Sequence, residues 1–397
     1  MNPWAGIKGL PRNIWLISTA SLINRAGMMV LPFLAIYITK VLEREPTEAG
    51  LIIASYGIGS FITAPFAGRL SDKLGELRLM KFSLIGSGIM LLIISQVSDY
   101  YLFFILMPIW ASINEAFRPA SLAFISNEST AKQRKTAFAL YRLAINLGMS
   151  FGPVIGGILS EIDFTLLFYV DAITCLIAGV FLIFSKWETR KVENEAPVST
   201  AKVTVLDTLL ENKAFILVVL LFLPIQLVYM QSHSTLPLFI VNDLSISNAA
   251  FGSLIAVNTV LIILIEVPLN SWMSNWKDIN ALVFGALLTG LGFGMTAIAD
   301  GYSLLVATIV IWTFGEMIFF PAASSFISEL APPNKRGQFM GYYQMAFGFS
   351  FVAAPWIGTA IYEHFGAEIL WISCFIFSLL TVTFLLSFRK VFEKPIP

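Results

Sequence analysis

The chain has 397 residues, 57% of them hydrophobic and only 13% charged, about half the charged share of an ordinary soluble domain. So much apolar surface cannot be hidden inside one core, which excludes a soluble globular fold, and the 25 Lys+Arg against 25 Asp+Glu leave no net charge to favour nucleic acid or an acidic partner. Cys175 and Cys374 lie in separate apolar runs, with neither metal-ligand spacing nor a disulfide framework, and read as packing residues; no metal, cofactor or catalytic residue is expected.

Residues 1–15 carry Lys8 and Arg12 and lead into a long apolar segment without a small-residue cleavage site. This reads as a retained first helix rather than a removed signal peptide. A membrane span needs about 20 mostly apolar residues. Apolar runs bounded by Gly, Pro or charge give twelve such spans, at 13–39, 49–68, 79–97, 101–123, 136–159, 164–185, 214–240, 249–270, 280–299, 302–327, 338–361 and 366–387. The organisation expected is therefore an all-α membrane protein with an N-terminal six-helix half (1–186), a cytoplasmic linker (187–213) and a C-terminal six-helix half (214–397).

Orientation follows from the basic residues, which accumulate in cytoplasmic loops. With both termini inside, only Lys40 and Arg44 fall outside, and Arg25, Arg118 and Arg142 fall within spans; every other Lys and Arg is cytoplasmic. The expected location is a multi-pass plasma (cell inner) membrane, with the lipid bilayer as the surrounding partner.

A fixed shift of 202 residues aligns 110–157 with 312–359 without a gap. Trp110, Phe117, Pro119, Ala120, Phe124, Ile125, Ser126, Arg134, Tyr141, Ala144, Pro153, Ile155 and Gly156 recur as Trp312, Phe319, Pro321, Ala322, Phe326, Ile327, Ser328, Arg336, Tyr343, Ala346, Pro355, Ile357 and Gly358. Shared Trp, Pro, Arg and Gly at one register exceed what two apolar helices share by chance, so one unit is used twice. Two parallel six-helix halves are an architecture that places a substrate site near the bilayer midplane.

Between the second and third spans the chain reads Gly68-Arg-Leu-Ser-Asp72-Lys-Leu-Gly75-Glu-Leu-Arg78, which resembles the signature G-x-L-[AS]-D-[RK]-x-G-[RK]-[RK]-x of the major facilitator superfamily. The resemblance implies the major facilitator fold, pseudo-symmetric halves, and a conformational latch built on Gly68, Asp72, Gly75 and Arg78. Glu76 and Leu77 stand where the family has basic residues, which weakens the latch in charge. In the fifth span, Gly148-Met-Ser-Phe-Gly152-Pro153-Val-Ile-Gly156-Gly157 is similar to the end of the antiporter motif of drug/proton antiporters; small residues four apart permit close helix packing. Leu140 departs from the Gly of the full motif, and the family's arginine in the fourth span is missing near Met107 and Pro108.

Charged side chains within spans cost about 2.5–3.5 kcal/mol and are by default functional candidates. Glu115 and Arg118, three apart, have the spacing of an ion pair on one helix face, either coupling or structural. Arg25, beside Asn24, suits an anionic substrate group or a pairing with Glu115. Glu316 takes the repeat position of Asn114 and has the character of a proton carrier. Glu115, Glu316, Arg118 and Arg25 are thus the proton-coupling candidates. Glu266 and Asp171 are expected to snorkel or pair with loops; Arg142 suits a gate or headgroup contact as well as the cavity, and His233 either titrates near neutrality or faces water. Asn24, Asn114, Asn146, Gln226, Tyr229, Asn258, Trp312 and Tyr343 are the substrate-contact candidates.

No Walker-type phosphate loop and no Ser/His/Asp constellation is present, so the chain is not expected to be an enzyme or ATP-driven. The function expected is secondary active transport by alternating access: proton-coupled export of a small amphipathic or drug-like molecule by a monomer, with protons as the coupling ion. The alternatives are proton-coupled uptake of a nutrient or organic anion, or translocation of a lipid or lysolipid.

Overall fold

The computed structural model describes residues 9–188, 213–330 and 336–387. Among them every regular element is a helix, as expected where no water is present to satisfy exposed backbone groups. The helices are α1 (Arg12–Ala26), α2 (Val30–Lys40), α3 (Pro46–Leu74), α4 (Glu76–Ile94), α5 (Tyr100–Glu115), α6 (Phe117–Glu128), α7 (Ala131–Ile162) and α8 (Thr165–Phe184). After the expected linker, which from 189 to 212 lies outside the described residues, come α9 (Lys213–Met230), α10 (Thr235–Leu238), α11 (Asn248–Trp272), α12 (Asp278–Met295), α13 (Tyr302–Leu330), α14 (Arg336–Phe365) and α15 (Ala367–Ser387).

Among the described residues, eleven stretches are long and apolar enough to cross a membrane, and the remaining expected span, 49–68, lies inside the 29-residue α3. The spans are less regular than the apolar pattern suggests. The first breaks at Gly27–Met29 between α1 and α2, the fourth at Ala116 between α5 and α6, and the seventh at a 3₁₀ turn, Gln231–His233, before α10. Turn chemistry sets other boundaries. Asp99 accepts a hydrogen bond from Leu102 N at 2.8 Å to start α5, and Gly75 and Gly366, both at φ 86°, close α3 and α14 in a left-handed conformation that costs other residues about 1–2 kcal/mol.

The chain divides into two compact units: Met1–Arg44, Leu51–Glu195 and Ser247–Thr259 form the first, and Glu45–Gly50, Ala196–Ile246 and Val260–Pro397 the second. The first turns of α11 thus pack with the first unit and the start of α3 with the second. Each unit has its own core. In the first, Ile14, Ile17, Phe117, Ala120, Ile125 and Tyr141 are buried together; in the second, Phe222, Phe319, Ala322, Ile327 and Tyr343. Phe117, Ala120, Ile125 and Tyr141 are repeat mates of Phe319, Ala322, Ile327 and Tyr343, so the shift of 202 read from the sequence places equivalent residues in equivalent cores.

Candidate functional site

In the first unit a chain of hydrogen bonds ends on Glu115. Trp110 Nε1 donates to Ser87 Oγ at 2.9 Å, Ser87 Oγ to Asn114 Oδ1 at 3.2 Å, Asn114 Nδ2 to the Tyr56 hydroxyl at 2.9 Å, and that hydroxyl to Glu115 Oε1 at 3.0 Å. The Tyr56 ring meets the Trp110 ring edge-on at 5.1 Å. Every donor points toward the carboxylate, which is an acceptor when ionised and gains a donor when protonated. A change in its proton therefore reaches Tyr56, Asn114 and Trp110.

The second unit repeats the theme with different residues. Tyr229 donates its hydroxyl to Glu316 Oε1 at 2.9 Å, and its ring lies 6.2 Å from Trp312 and 5.0 Å from Phe320. Position 114 and its repeat mate 316 thus each meet a tyrosine hydroxyl, and each of those tyrosines lies against the repeat tryptophan. His233 completes the group, 6.1 Å from Tyr229 and 6.4 Å from Phe351, ring to ring. A carboxylate among aromatic faces suits an amphipathic ligand with a cationic or hydrogen-bond-donating group.

The antiporter-like glycines form a groove for the broken first span. A Cβ at Gly148 would lie 2.7 Å from Arg25 Cβ and 2.8 Å from Leu22 O, at Gly152 2.8 Å from Met28 O, and at Gly156 3.1 Å from Met29 Cβ. In the second unit a Cβ at Gly358, the mate of Gly156, would lie 1.9 Å from Gln231 Oε1, and Gln231 is itself the mate of Met29 at the same shift of 202. Gln231 Nε2 also donates to Leu227 O and Ala354 O, each at 3.1 Å. Both breaks are therefore backed by the same repeat glycine. Gly157 meets Asn248 and Ala249, and Gly252 meets Pro153 O, within the first unit; Gly50 meets Pro355 O within the second.

Two expected pairings are absent. Glu115 and Arg118 do not form an ion pair: Glu115 accepts from the Tyr56 hydroxyl, and Arg118 is exposed on α6. Arg25 is not bonded to Glu115 either: its Nη1 donates to Met28 Sδ at 2.8 Å. Asp171, expected to snorkel, is 3% exposed and accepts backbone hydrogen bonds from α2. Asn24 donates to Cys175 Sγ at 3.2 Å, and Gln226 Oε1 accepts from Ser350 Oγ at 3.3 Å. Tyr343 belongs to the core of the second unit. Asn146, Asn258 and Glu266 are half-buried and Arg142 is exposed. Of the latch residues, Gly75 ends α3 and Arg78 lies in the first turn of α4, whereas the surroundings of Gly68 and Asp72 lie outside the described residues. Tyr56 and Ser87 were not among the residues expected from the sequence; their signal was a polar side chain inside an apolar span.

Comparison with known proteins accounts for this architecture. The family model described as Major Facilitator Superfamily matches residues 15–239 and 232–397. The MFS-type transporter YqjV of Bacillus subtilis is 26% identical, over 92% of this chain and 90% of its own length. A Na(+), Li(+), K(+)/H(+) antiporter of Planococcus maritimus is 24% identical over 84% and 85%, and the class B tetracycline resistance protein of Escherichia coli is 23% identical over 87% of each. Among solved structures, the nucleoside transporter NupG (D323A mutant) superposes with a TM-score of 0.82 at 16% identity, covering 96% of this chain and 100% of that one. The signature between α3 and α4, the repeated units and these matches agree: the chain belongs to the major facilitator superfamily and is a membrane transporter, not an enzyme.

Proposed function

We propose that this transporter couples outward movement of a small amphipathic or drug-like molecule to inward movement of protons, working by alternating access as a monomer in the cell inner membrane with both termini in the cytoplasm. The observation that carries the reading is the carboxylate held by a tyrosine beside the repeat tryptophan in each unit, Glu115 with Tyr56 and Glu316 with Tyr229. A carboxylate in such a place exchanges between a protonated, desolvated form and an ionised, hydrogen-bonded form as access alternates. The aromatic faces around Glu316 offer apolar area to the body of the molecule, and the carboxylate offers a polar anchor.

The names of the relatives support export and proton exchange: one is an alkali-cation/proton antiporter and another a tetracycline resistance protein. Uptake of an organic anion has less support, because the arginines that favoured it are engaged with Met28 or exposed on α6. The test has two steps. A thermal-shift panel of drugs, metabolites and lipids on purified protein identifies a binder, since ligand binding stabilises by mass action. Inverted membrane vesicles with an acidic lumen should then accumulate that binder, and collapse of the pH gradient should abolish accumulation. Accumulation that ignores the gradient would rule out proton coupling.

A further inference from the structure

One face of α8 wraps the break in the first span. Asp171 Oδ2 accepts hydrogen bonds from Met29 N at 3.2 Å and Val30 N at 3.3 Å, the first free backbone donors of α2. One turn on, Thr174 lies so close to Gly27 that a Cβ there would be 1.7 Å from its Oγ1. Cys175 accepts from Asn24 Nδ2 at 3.2 Å and donates its thiol to Asp171 Oδ1 at 3.7 Å. The break is therefore fixed from both sides, by this face of α8 and by the Gly148 and Gly152 groove of α7.

An orphan N–H at a helix start needs an acceptor when buried, and inside a bilayer an unsatisfied one costs several kcal/mol. Ser, Thr or Asn would cap α2 without a charge. A carboxylate that is 3% exposed caps it with a group that gains and loses a proton. The ionised form accepts at both oxygens and suits the positive end of α2; the protonated form gives up acceptor capacity and becomes a donor. The groups acting on it are Met29 N, Val30 N, the Cys175 thiol and the charge of Arg25 on α1. In the second unit the break is held by the neutral amide of Gln231, with His233 in the same turn, and the position 202 beyond Asp171 is Ser373.

We propose that Asp171 is a proton-binding residue whose protonation releases α1 to swing about the Gly27–Met29 break, making the first half pH-responsive. This deepens the proton-coupled reading by adding a positioning group that acts on α1, and through it on the α7 glycines, rather than on substrate.

The test reads the angle of α1 without substrate or transport. Trp15 on α1 and Phe184 at the end of α8 are 43% and 80% exposed, whereas both native cysteines are buried, so spin labels on the W15C/F184C protein react selectively. In nanodiscs, the distance distribution between these labels should hold two populations whose ratio changes up to tenfold per pH unit. Asp171→Asn, which keeps one acceptor oxygen but no titrating proton, should show one pH-independent population. A wild-type distribution that does not change between pH 5 and 9, or an Asp171→Asn protein that still responds as wild type does, would overturn the proposal. If Asp171→Asn fails to fold, Asp171→Ser, which caps α2 without a charge, takes its place: a pH-independent distribution supports the proposal and a wild-type response overturns it. Failure of the export reading would appear instead as gradient-independent transport with this response intact.

Discussion

Tyr229 gives Glu316 one hydrogen bond, whereas Tyr56 sits between Asn114 and Glu115 and joins both. Removing a hydroxyl from such a place leaves a buried group short of a partner, at a cost of about 1–3 kcal/mol. Tyr56→Phe should therefore lower the thermal unfolding midpoint more than Tyr229→Phe, because it interrupts a connected chain that runs back to Trp110. Thermal unfolding of both proteins in one detergent checks the order, and equal midpoints to wild type would show that neither hydroxyl is needed for stability. The acids and Trp312 were legible in the sequence because charge and Trp stand out in apolar spans. Tyr56 was not, since aromatic residues in a chain with 34 Phe carry little signal until their hydroxyl is seen to point at a carboxylate. Asp171 was visible but misread, because its position near a span end said nothing about the break in another helix that it caps.

The elements that matter most are the broken first and seventh spans and the repeat glycines behind them. At Gly156 a methyl group meets Met29 Cβ at 3.1 Å, a contact that a few tenths of an ångström relieve; at Gly358 it meets Gln231 Oε1 at 1.9 Å, and that amide is held by Leu227 O and Ala354 O. Gly358→Ala should thus cost about 1–3 kcal/mol by overpacking, and Gly156→Ala clearly less. Adding Gln231→Ala should recover part of the Gly358→Ala loss, since it removes the amide atoms in the way. A double-mutant cycle on thermal stability reads the coupling, and strict additivity would show that the close approach relaxes by another route. The latch makes a second prediction at this scale: Gly75→Ala forces φ 86° on a residue with a Cβ, at about 1–2 kcal/mol, seen as a lower unfolding midpoint. The spans themselves were readable from hydropathy and length. Their breaks at Gly27–Met29, Ala116 and Gln231–His233 were not, because they depend on what packs against each helix rather than on its own apolar pattern.

For the whole molecule, the shift of 202 residues read from Trp, Pro and Gly positions carried over to equivalent cores, to breaks in the first and seventh spans, and to tyrosine-held side chains at positions 114 and 316, whereas the interruption at Ala116 has no counterpart in the continuous α13. What differs between the units is the chemistry at those matched positions: Asn114 with Glu115 in one, Glu316 in the other, Asp171 at one break and Gln231 at the other. The backbone repeats while the titrating groups do not, and the proposed proton coupling rests on that difference. The latch is expected to act at this scale too. Asp72→Asn should leave insertion in the membrane intact and slow transport severalfold, and a wild-type rate would remove it from the cycle.

The most direct test is uphill transport of an identified binder into vesicles on an imposed pH gradient, by Glu115→Gln and Glu316→Gln proteins at matched expression. A neutral amide keeps the hydrogen bond to Tyr56 or Tyr229 but carries no exchangeable charge. The account predicts that at least one of the two still binds the molecule while losing gradient-driven accumulation and its pH dependence, a drop of tenfold or more against wild type. If both variants accumulate the molecule uphill as wild type does, proton coupling does not run through Glu115 or Glu316.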